Sequence, residues 1–255
     1  MLLAIDAGNT NITLGVFEGP ELLTTWRLIT DRSRTADEYG IEVRNLFDGA
    51  RMNVKDVEAI IVASVVPQLH DTLTVMSQRY LQLSPIFVDH TTKTGLKILY
   101  DDPSQLGADR IVDAVAAVEK YGAPCLVIDL GTATTFNAIN SRREYLGGII
   151  APGLMTSAEA LFARAAKLPR VPIERPKNVL GRTTVEAMQS GIFFGYANLV
   201  NGLTEDIYHA MQEAPKVIVT GGLVPLIKDA LYFVYEFDQN LTLDGLRIVY
   251  ELNKV

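Results

Sequence analysis

The chain contains little cysteine and little histidine. Among its 255 residues there are one cysteine and three histidines. Cys125 therefore cannot form a disulfide within the chain, and its apolar sequence neighbours favour an inert buried thiol over a nucleophile. His70, His90 and His209 are scattered, without the spacing of metal ligands or of a Ser-His-Asp arrangement. These absences argue against an internal disulfide, a histidine-bound metal centre and triad catalysis.

Positive charge and long apolar runs are also scarce. The net charge of -7 makes nucleic acid an unfavourable main partner, because binding to the phosphate backbone of a nucleic acid needs stripes of lysine and arginine. No apolar run approaches the roughly 20 residues that span a bilayer. The first residues lack the order of basic, apolar and small residues that defines a signal peptide. We expect a cytoplasmic protein without a nucleic acid or membrane partner.

The most informative pattern occurs twice, about half a chain apart. In each copy a short apolar strand runs into Asp-x-Gly, then into Thr or Asn residues and a second apolar strand. The first copy covers residues 2–16 and the second covers residues 125–139. Both copies continue into alternating helices and strands. This order predicts a mixed α/β fold that arose by duplication.

The repeat predicts two halves. We expect an N-terminal half over residues 1–115, with the first loop, and a C-terminal half over residues 116–255, with the second. A helix predicted over Gly107–Tyr121 crosses this boundary. The halves are expected to pack closely, because no low-complexity linker separates them.

Apolar periodicity and capping residues predict the other long helices. One runs from Asp37 to about Ala50, with Thr35 near its N-cap. Another covers Thr184–Met211 and is expected to break or curve around residues 191–195, where it contains glycine. Residues 246–249 fit a helix and a strand equally well.

The first Asp-x-Gly loop has the chemistry of a phosphate site. Gly8 permits a tight turn that brings backbone N–H groups close to phosphate oxygens, and Asn9, Thr10 and Asn11 add side-chain donors. Asp6, at the end of the strand, can orient Mg²⁺ directly or through water. An ordinary polar hairpin turn is the alternative, which the second copy at Asp129–Thr132 makes less attractive. The chain contains neither G-x-x-x-x-G-K-[ST] nor G-x-G-x-x-G.

Three further segments carry weaker signals. Gly221 and Gly222 follow a strand and fit either a tight turn or, beside two phosphate-type loops, contact with adenine. At the start of the predicted helix, Asp109 can accept a hydroxyl proton and Arg110 can bind a carboxylate. A helix-dipole role for Asp109 and a surface ion pair for Arg110 are equally plausible from the sequence. For Thr183 or Thr184, at the start of another helix, capping is a sufficient explanation.

In their order, these motifs resemble those of the type III pantothenate kinases, whose fold is that of the actin-like ATPases and sugar kinases. The resemblance implies duplicated ribonuclease H-like domains with mixed sheets flanked by helices. Residues 26–28, 35–38 and 241–246 extend the likeness to the whole chain. The segments that carry it are DAGNT at 6–10, ASVVP at 63–67, GADR at 107–110, DLGTATT at 129–135 and GGIIAPG at 147–153.

This resemblance implies ATP-dependent phosphorylation of pantothenate, the first step of coenzyme A biosynthesis, with Asp109 as the general base. It implies an ATP site formed by Asp6, Ala7, Gly8, Asn9, Thr10, Asn11, Ile12, Thr13 and Thr132. It implies a pantothenate site formed by Tyr100, Gly107, Ala108, Asp109, Arg110 and Thr184. Asp129 is implied to coordinate K⁺ or ammonium, and Asp6 to hold Mg²⁺. Family members are homodimers, so Thr184 is expected to act across the subunit interface, with the dimer helices in the C-terminal half.

Two other functions stay open. The chain fits a kinase of another small hydroxylated metabolite on the same fold, such as a sugar or a hydroxy acid. It also fits a non-catalytic accessory or regulatory relative. Asp6, Asp109 and Asp129 weigh against the second alternative, because a binding module has no need of a well-placed base.

Overall fold

A computed structural model describes residues 1–165, 167–233 and 236–254. Its strands are β1 Leu2–Ala7, β2 Asn11–Glu18, β3 Glu21–Ile29, β4 Ala59–Ser64, β5 Ile86–Phe87, β6 Lys97–Ile98, β7 Cys125–Leu130, β8 Ala133–Ile139, β9 Glu144–Pro152, β10 Lys216–Thr220 and β11 Glu236–Phe237. Its α-helices are α1 Ala36–Gly49, α2 His70–Met76, α3 Ala108–Tyr121, α4 Leu154–Arg164, α5 Thr184–Met211, α6 Val224–Ile227 and α7 Leu241–Asn253. A π-helical segment, Ser77–Leu81, continues α2.

The chain divides into two compact units, each with its own sheet. In the first unit the strand order is β3-β2-β1-β4-β5. The strands β1, β2 and β3 pair antiparallel in chain order, whereas β4 lies parallel to β1 and β5 lies parallel to β4. The central strand β1 is therefore paired on both sides, and its carboxyl end leads into the first Asp-x-Gly turn.

The second unit repeats this sheet. Its order is β11-β10-β7-β8-β9-β6. The strands β7, β8 and β9 pair antiparallel, and β10 and β11 add parallel strands on the other side of β7. Each strand of the first sheet has a counterpart in the same position and direction, and β6 is added at the outer edge, parallel to β9. The expectation of a duplicated mixed α/β fold is confirmed.

Both faces of the first sheet are covered, which explains the continuous apolar run of β1. Alternate residues of β1, such as Leu3 and Ile5, join a buried cluster with Tyr39 of α1 and Leu73 of α2. Helix α7 packs against β1, β2 and β4. Because side chains alternate along a strand, Asp6 lies on the opposite face from Leu3 and Ile5.

In the second unit, the sheet packs against α4 and α5. Leu126 and Ile128 of β7 form a buried cluster with Leu154 of α4 and Phe193 of α5. Cys125 is fully buried, and this burial raises the pKa of its thiol to about 12. The expectation of a buried thiol is thus confirmed. In the part of the chain that the structure describes, no helix is long and apolar enough to cross a membrane.

The division into units departs from the expected halves of 1–115 and 116–255 in two places. It falls inside α3, after Ala116, close to the expected boundary. However, residues 240–254 belong to the first unit, because α7 packs on its sheet. Residues 97–100 belong to the second unit, because β6 pairs with β9. Neither placement follows from position along the chain.

The helix predictions are mostly confirmed. Thr35 is the N-cap of α1 and forms a capping box with Glu38. Helix α5 has the predicted bounds and is continuous around residues 191–195, which removes the break from the two expected alternatives of a break or a curve. A buried stripe along its whole length stabilises it despite the glycines. Residues 246–249, left open between helix and strand, lie in α7.

Candidate active site

The turn after β1 is held in one shape by backbone hydrogen bonds. The N–H of Gly8 donates to the carbonyl oxygen of Asn11 at 3.0 Å. Thr30, directly after β3, binds the turn twice: its Oγ1 donates to the carbonyl oxygen of Gly8 at 2.6 Å, and its N–H donates to that of Thr10 at 3.0 Å. The backbone of the turn is thus restrained from both sides.

The side chains of this turn remain accessible. Asn9 and Thr10 are exposed, and Asp6 is half-buried at the end of β1. The Nη2 atom of Arg32 donates to Oδ1 of Asn9 at 3.0 Å, which brings a positive charge to the rim of the turn. A fixed turn with exposed donors and a nearby cation is suited to binding phosphate oxygens.

The segment that opens α3 lies beside the ends of β1 and β4. A Cβ added to Gly107 would lie 3.6 Å from Cγ1 of Val65. Val65 follows β4, and its N–H donates to the carbonyl oxygen of Ala7 at 3.1 Å. The first unit therefore brings Gly107 and Asp109 to the edge of the sheet where β1 ends and the turn of residues 8–10 begins.

Asp109 is placed by its immediate neighbours. The backbone N–H of Arg110 donates to Oδ1 of Asp109 at 2.8 Å. The carboxylate lies over Gly107, where an added Cβ would be 2.5 Å from Oδ1. Glycine at this position therefore leaves space for the carboxylate.

Burial raises the pKa of Asp109, while the N–H and the positive charge of Arg110 act in the opposite direction. Arg110 is only 6% exposed, so the alternative of a surface ion pair for this residue is wrong. A half-buried carboxylate with a raised pKa is a stronger proton acceptor than an ordinary surface aspartate.

Glycine backbone lies close to the carboxylate of the second Asp-x-Gly turn. In the sheet, Asp129 lies opposite Thr135 of β8 and Thr220 of β10. Gly221 has a φ of +100°, and an added Cβ would lie 2.5 Å from Oδ1 of Asp129. On Gly131, an added Cβ would lie 3.4 Å from Oδ2 of Asp129. The backbone of Gly221 thus approaches this carboxylate more closely than a residue with a side chain could.

Thr132 is tied to the start of α4. Its carbonyl oxygen accepts from the N–H of Gly153 at 3.1 Å and from Oγ1 of Thr156 at 2.7 Å. Both lone pairs of this carbonyl oxygen are thus used within the protein, and the carboxylate of Asp129 is the cation ligand that the turn offers. Among residues 1–165, 167–233 and 236–254, no three His, Cys, Asp or Glu side chains form a metal-binding group.

Tyr100 is supported by a buried network that the sequence analysis missed. Its ring stacks on Tyr145, with ring centroids 5.7 Å apart. Tyr145 is fully buried, and its hydroxyl donates to Oδ1 of Asn137 at 2.6 Å. Nδ2 of Asn137 donates in turn to Oγ1 of Thr135 at 3.3 Å. The signal was the pair of polar residues, Thr135 and Asn137, on one face of β8.

Thr184 lies at the exposed start of α5. The N-cap is Thr183, whose Oγ1 accepts from the N–H of Glu186 at 3.2 Å. The capping role expected for Thr183 or Thr184 is therefore confirmed, and it belongs to Thr183. Residues 179 and 180, which precede this helix, are exposed and apolar: Val179 is 65% and Leu180 is 85% exposed.

The predicted site residues fall into two groups. The first unit brings together the turn of residues 6–13 and the segment 107–110. The second unit contains Tyr100, Asp129, Thr132 and Thr184. Within the second unit, Tyr100 connects through Tyr145 and Asn137 to β8, the strand that pairs with Asp129.

Comparison with known proteins identifies the family of this chain. The sequence model of a family described as Type III pantothenate kinase matches residues 2–206. A type III pantothenate kinase of Koribacter versatilis is 49% identical over 264 aligned positions, covering 100% of this chain and 96% of the relative. That of Anaeromyxobacter sp. (strain Fw109-5) is 50% identical over 254 residues, and both chains are covered in full. This chain belongs to the type III pantothenate kinase family.

Solved structures with lower sequence identity to this member of the type III pantothenate kinase family share its fold. A Campylobacter jejuni protein named for the Baf family of transcriptional activators is 20% identical, with a TM-score of 0.61 and 98% of each chain covered. A Sinorhizobium meliloti protein named as a 2-dehydro-3-deoxygalactonokinase is 11% identical, with a TM-score of 0.61 and coverage of 100% and 96%. The expected fold of the sugar kinases is thus confirmed.

Proposed function

We propose that this chain transfers the terminal phosphoryl group of ATP to the hydroxyl group of pantothenate, with Asp109 as the proton acceptor. One observation carries this assignment of roles. In a member of the type III pantothenate kinase family, Asp109 opens a helix beside the strand ends from which the turn of residues 6–13 starts. A base and a phosphate-binding turn at one sheet edge are the parts that phosphoryl transfer to an alcohol requires.

The turn of residues 6–13 holds the phosphates of ATP in this proposal. Phosphoryl transfer depends mainly on placement and charge neutralisation, and the restrained backbone around Gly8 serves placement. Asn9 and Thr10 offer exposed donors, and Thr132 of the second turn adds a further contact. Mg²⁺ held at Asp6, directly or through water, supplies positive charge at the phosphates. Asp129 holds K⁺ or ammonium through its carboxylate at the end of β7.

Asp109 takes the proton of the pantothenate hydroxyl as the oxygen–phosphorus bond forms. The raised pKa of Asp109 strengthens it as a base, and the carboxylate remains the acting form. Arg110 binds the pantothenate carboxylate, while Gly107 and Ala108 leave room for the substrate beside the helix. Tyr100 and Thr184 contribute further contacts to the substrate.

A homodimer in the cytoplasm is the second part of the proposal. The exposed apolar side chains of Val179, Leu180 and Val185 flank Thr184. A second copy of this chain that covers them would place Thr184 near the subunit interface. In sedimentation at equilibrium, the wild-type protein should have twice the monomer mass, and Leu180→Asp should lower it. A monomeric wild type would refute the dimer and leave the phosphoryl-transfer proposal standing.

The activity is tested with purified protein, ATP, Mg²⁺ and K⁺, against pantothenate and a panel of sugars and hydroxy acids. Mass spectrometry of the acceptors should detect phosphorylated pantothenate and no other phosphorylated product. Phosphorylation of a sugar or a hydroxy acid alone would refute the proposed substrate. If no acceptor is phosphorylated, the non-catalytic alternative is correct.

A further inference from the structure

The segment 241–246 at the start of α7 belongs to the sequence likeness with the type III pantothenate kinases. Three of its residues, Leu241, Leu243 and Leu246, are buried in the first unit. Leu243 packs against β2, where a Cβ added to Gly15 would lie 2.9 Å from Cδ1 of Leu243. This end of α7 is therefore anchored on the sheet that carries the phosphate turn.

Gly245 brings the backbone of α7 against α3. A Cβ added to Gly245 would overlap the carbonyl oxygen and carbon of Val112. Val112 lies in α3, three residues after Asp109. Because the overlapping atoms belong to the backbone, α3 cannot move aside cheaply, and the close approach of the two helices requires glycine.

Thr242 adds a specific hydrogen bond at the same contact. Its Oγ1 donates to Oδ1 of Asp113 at 2.7 Å. Asp113 is 2% exposed, and a buried carboxylate is costly unless donors surround it. Thr242 supplies one of these donors. A hydrogen bond to a charged acceptor is stronger than one between neutral groups.

Asp113 and Asp109 are neighbours on α3. They are four residues apart in the sequence and so lie on the same side of the helix, one turn apart. A rotation or shift of α3 that breaks the bond to Thr242 therefore also moves the carboxylate of Asp109. A displacement of about 1 Å in a reacting group can lower a rate by about 10²-fold.

We propose that Thr242 is a positioning residue, which acts through Asp113 to hold the first turns of α3 where Asp109 meets the substrate hydroxyl. The inference rests on the proposed role of Asp109 as the proton acceptor. It gives the C-terminal helix a part in the reaction although none of its residues contacts a reacting atom.

The main test is Thr242→Val, which keeps the shape of the side chain and removes the donor. We expect kcat for pantothenate phosphorylation to fall about tenfold, because Asp109 is less well placed. The KM for ATP should stay within about twofold of wild type, because Thr242 bonds to α3 rather than to the phosphate turn. Thr242→Ser retains the hydroxyl and should restore most of kcat.

A stability control separates positioning from folding. Val249 is fully buried in the same helix, and Val249→Ala should lower the melting temperature while leaving kcat at the wild-type value. Equal losses of kcat in Val249→Ala and Thr242→Val would overturn the inference, because a merely structural role predicts them. A wild-type kcat in Thr242→Val would overturn it as well.

The path through Asp113 is tested by a double-mutant cycle. Asp113→Leu removes the acceptor, so if Thr242 acts only through Asp113, adding Thr242→Val to Asp113→Leu should lower kcat by less than about twofold further. Fully additive losses would refute that path. Failure of this inference is distinguishable from failure of the proposed function, since in the latter case the wild-type protein would not phosphorylate pantothenate at all.

Discussion

The two sheets place an aspartate at the same point and surround it differently. Asp6 ends the apolar stretch of β1 and is followed by a three-residue turn between strands, in which Asn9 and Thr10 are exposed. Asp129 occupies the matching point of β7, but its turn has two residues. There, Gly131 and Gly221 lie against the carboxylate.

The parallel strand beside each aspartate also differs between the two units. Ala63 of β4 pairs with Asp6, and the next residue is Ser64. Thr220 of β10 pairs with Asp129, and the next residue is Gly221, with a positive φ. The same topology therefore carries a longer turn with two exposed polar residues in one half, and in the other a shorter turn whose carboxylate has glycine backbone beside it. This contrast favours a phosphate site at Asp6 and a monovalent cation site at Asp129.

The largest expected effect tests whether the chemistry belongs to the first unit. Asp109→Asn should lower kcat on the order of 10²–10⁴-fold, because the general base is lost. The exposed neighbour Asp101 provides the control, and Asp101→Asn should retain the wild-type rate. Steady-state kinetics with pantothenate measures both variants. An unchanged rate in Asp109→Asn would show that the base is another group.

The raised pKa of Asp109 adds a pH dependence to this prediction. The folded state favours the protonated carboxyl, so ionised Asp109 costs stability above its unfolded pKa of about 3.9. Asp109→Asn should therefore melt at or above the wild-type temperature at neutral pH. In wild type, kcat should decline with falling pH at a higher pH than an ordinary aspartate would cause. A clearly lower melting temperature for the variant would contradict this sign.

The second prediction tests whether Asp129, in the second Asp-x-Gly turn, binds the monovalent cation. Asp129→Ala should lower the rate at saturating KCl on the order of 10²-fold and remove the response to K⁺ or ammonium. Asp6→Asn, the matching change in the first unit, should keep that response and require more Mg²⁺. Rates measured across KCl and MgCl₂ titrations distinguish the two. A response to KCl that survives in Asp129→Ala places the cation site elsewhere.

The third prediction concerns Gly221, which follows β10 at the point where β4 has Ser64. Gly221→Ala should lower the free energy of unfolding by about 2 kcal/mol, because its φ is positive and its Cβ would crowd Asp129. Gly49→Ala is the matched control, since its Cβ would meet nothing within 4 Å. It should be neutral or slightly stabilising. Urea unfolding measures both changes, and equal stability of the two variants would refute the crowding argument.

The smallest effect is expected at Gly107. In Gly107→Ala the new Cβ would displace the carboxylate of Asp109, the movable end of a side chain. We expect kcat to fall by about fivefold without a large loss of stability. Gly49→Ala again provides the control and should keep the wild-type kcat. If Gly107→Ala also keeps it, the position of Asp109 tolerates more movement than its surroundings suggest.

Much of the fold could be predicted because its signals are local. The hairpin around Gly8, the N-cap Thr35 and the bounds of α5 depend on neighbouring residues, through turn chemistry, capping and apolar periodicity. Helix α5 does not break at its glycines because packing along a buried stripe outweighs the low helix propensity of glycine. The site residues were proposed from motif order, and their roles remain predictions.

The sequence by itself determined the duplicated α/β fold, the two Asp-x-Gly turns and the family. Only the tertiary structure decided that α7 belongs to the first unit, that Tyr145 and Asn137 support Tyr100, and that Thr242 meets Asp113, 129 residues away. The reason is physical. Turns and caps are set by interactions over a few residues, whereas these contacts arise where apolar faces far apart in the chain are buried together.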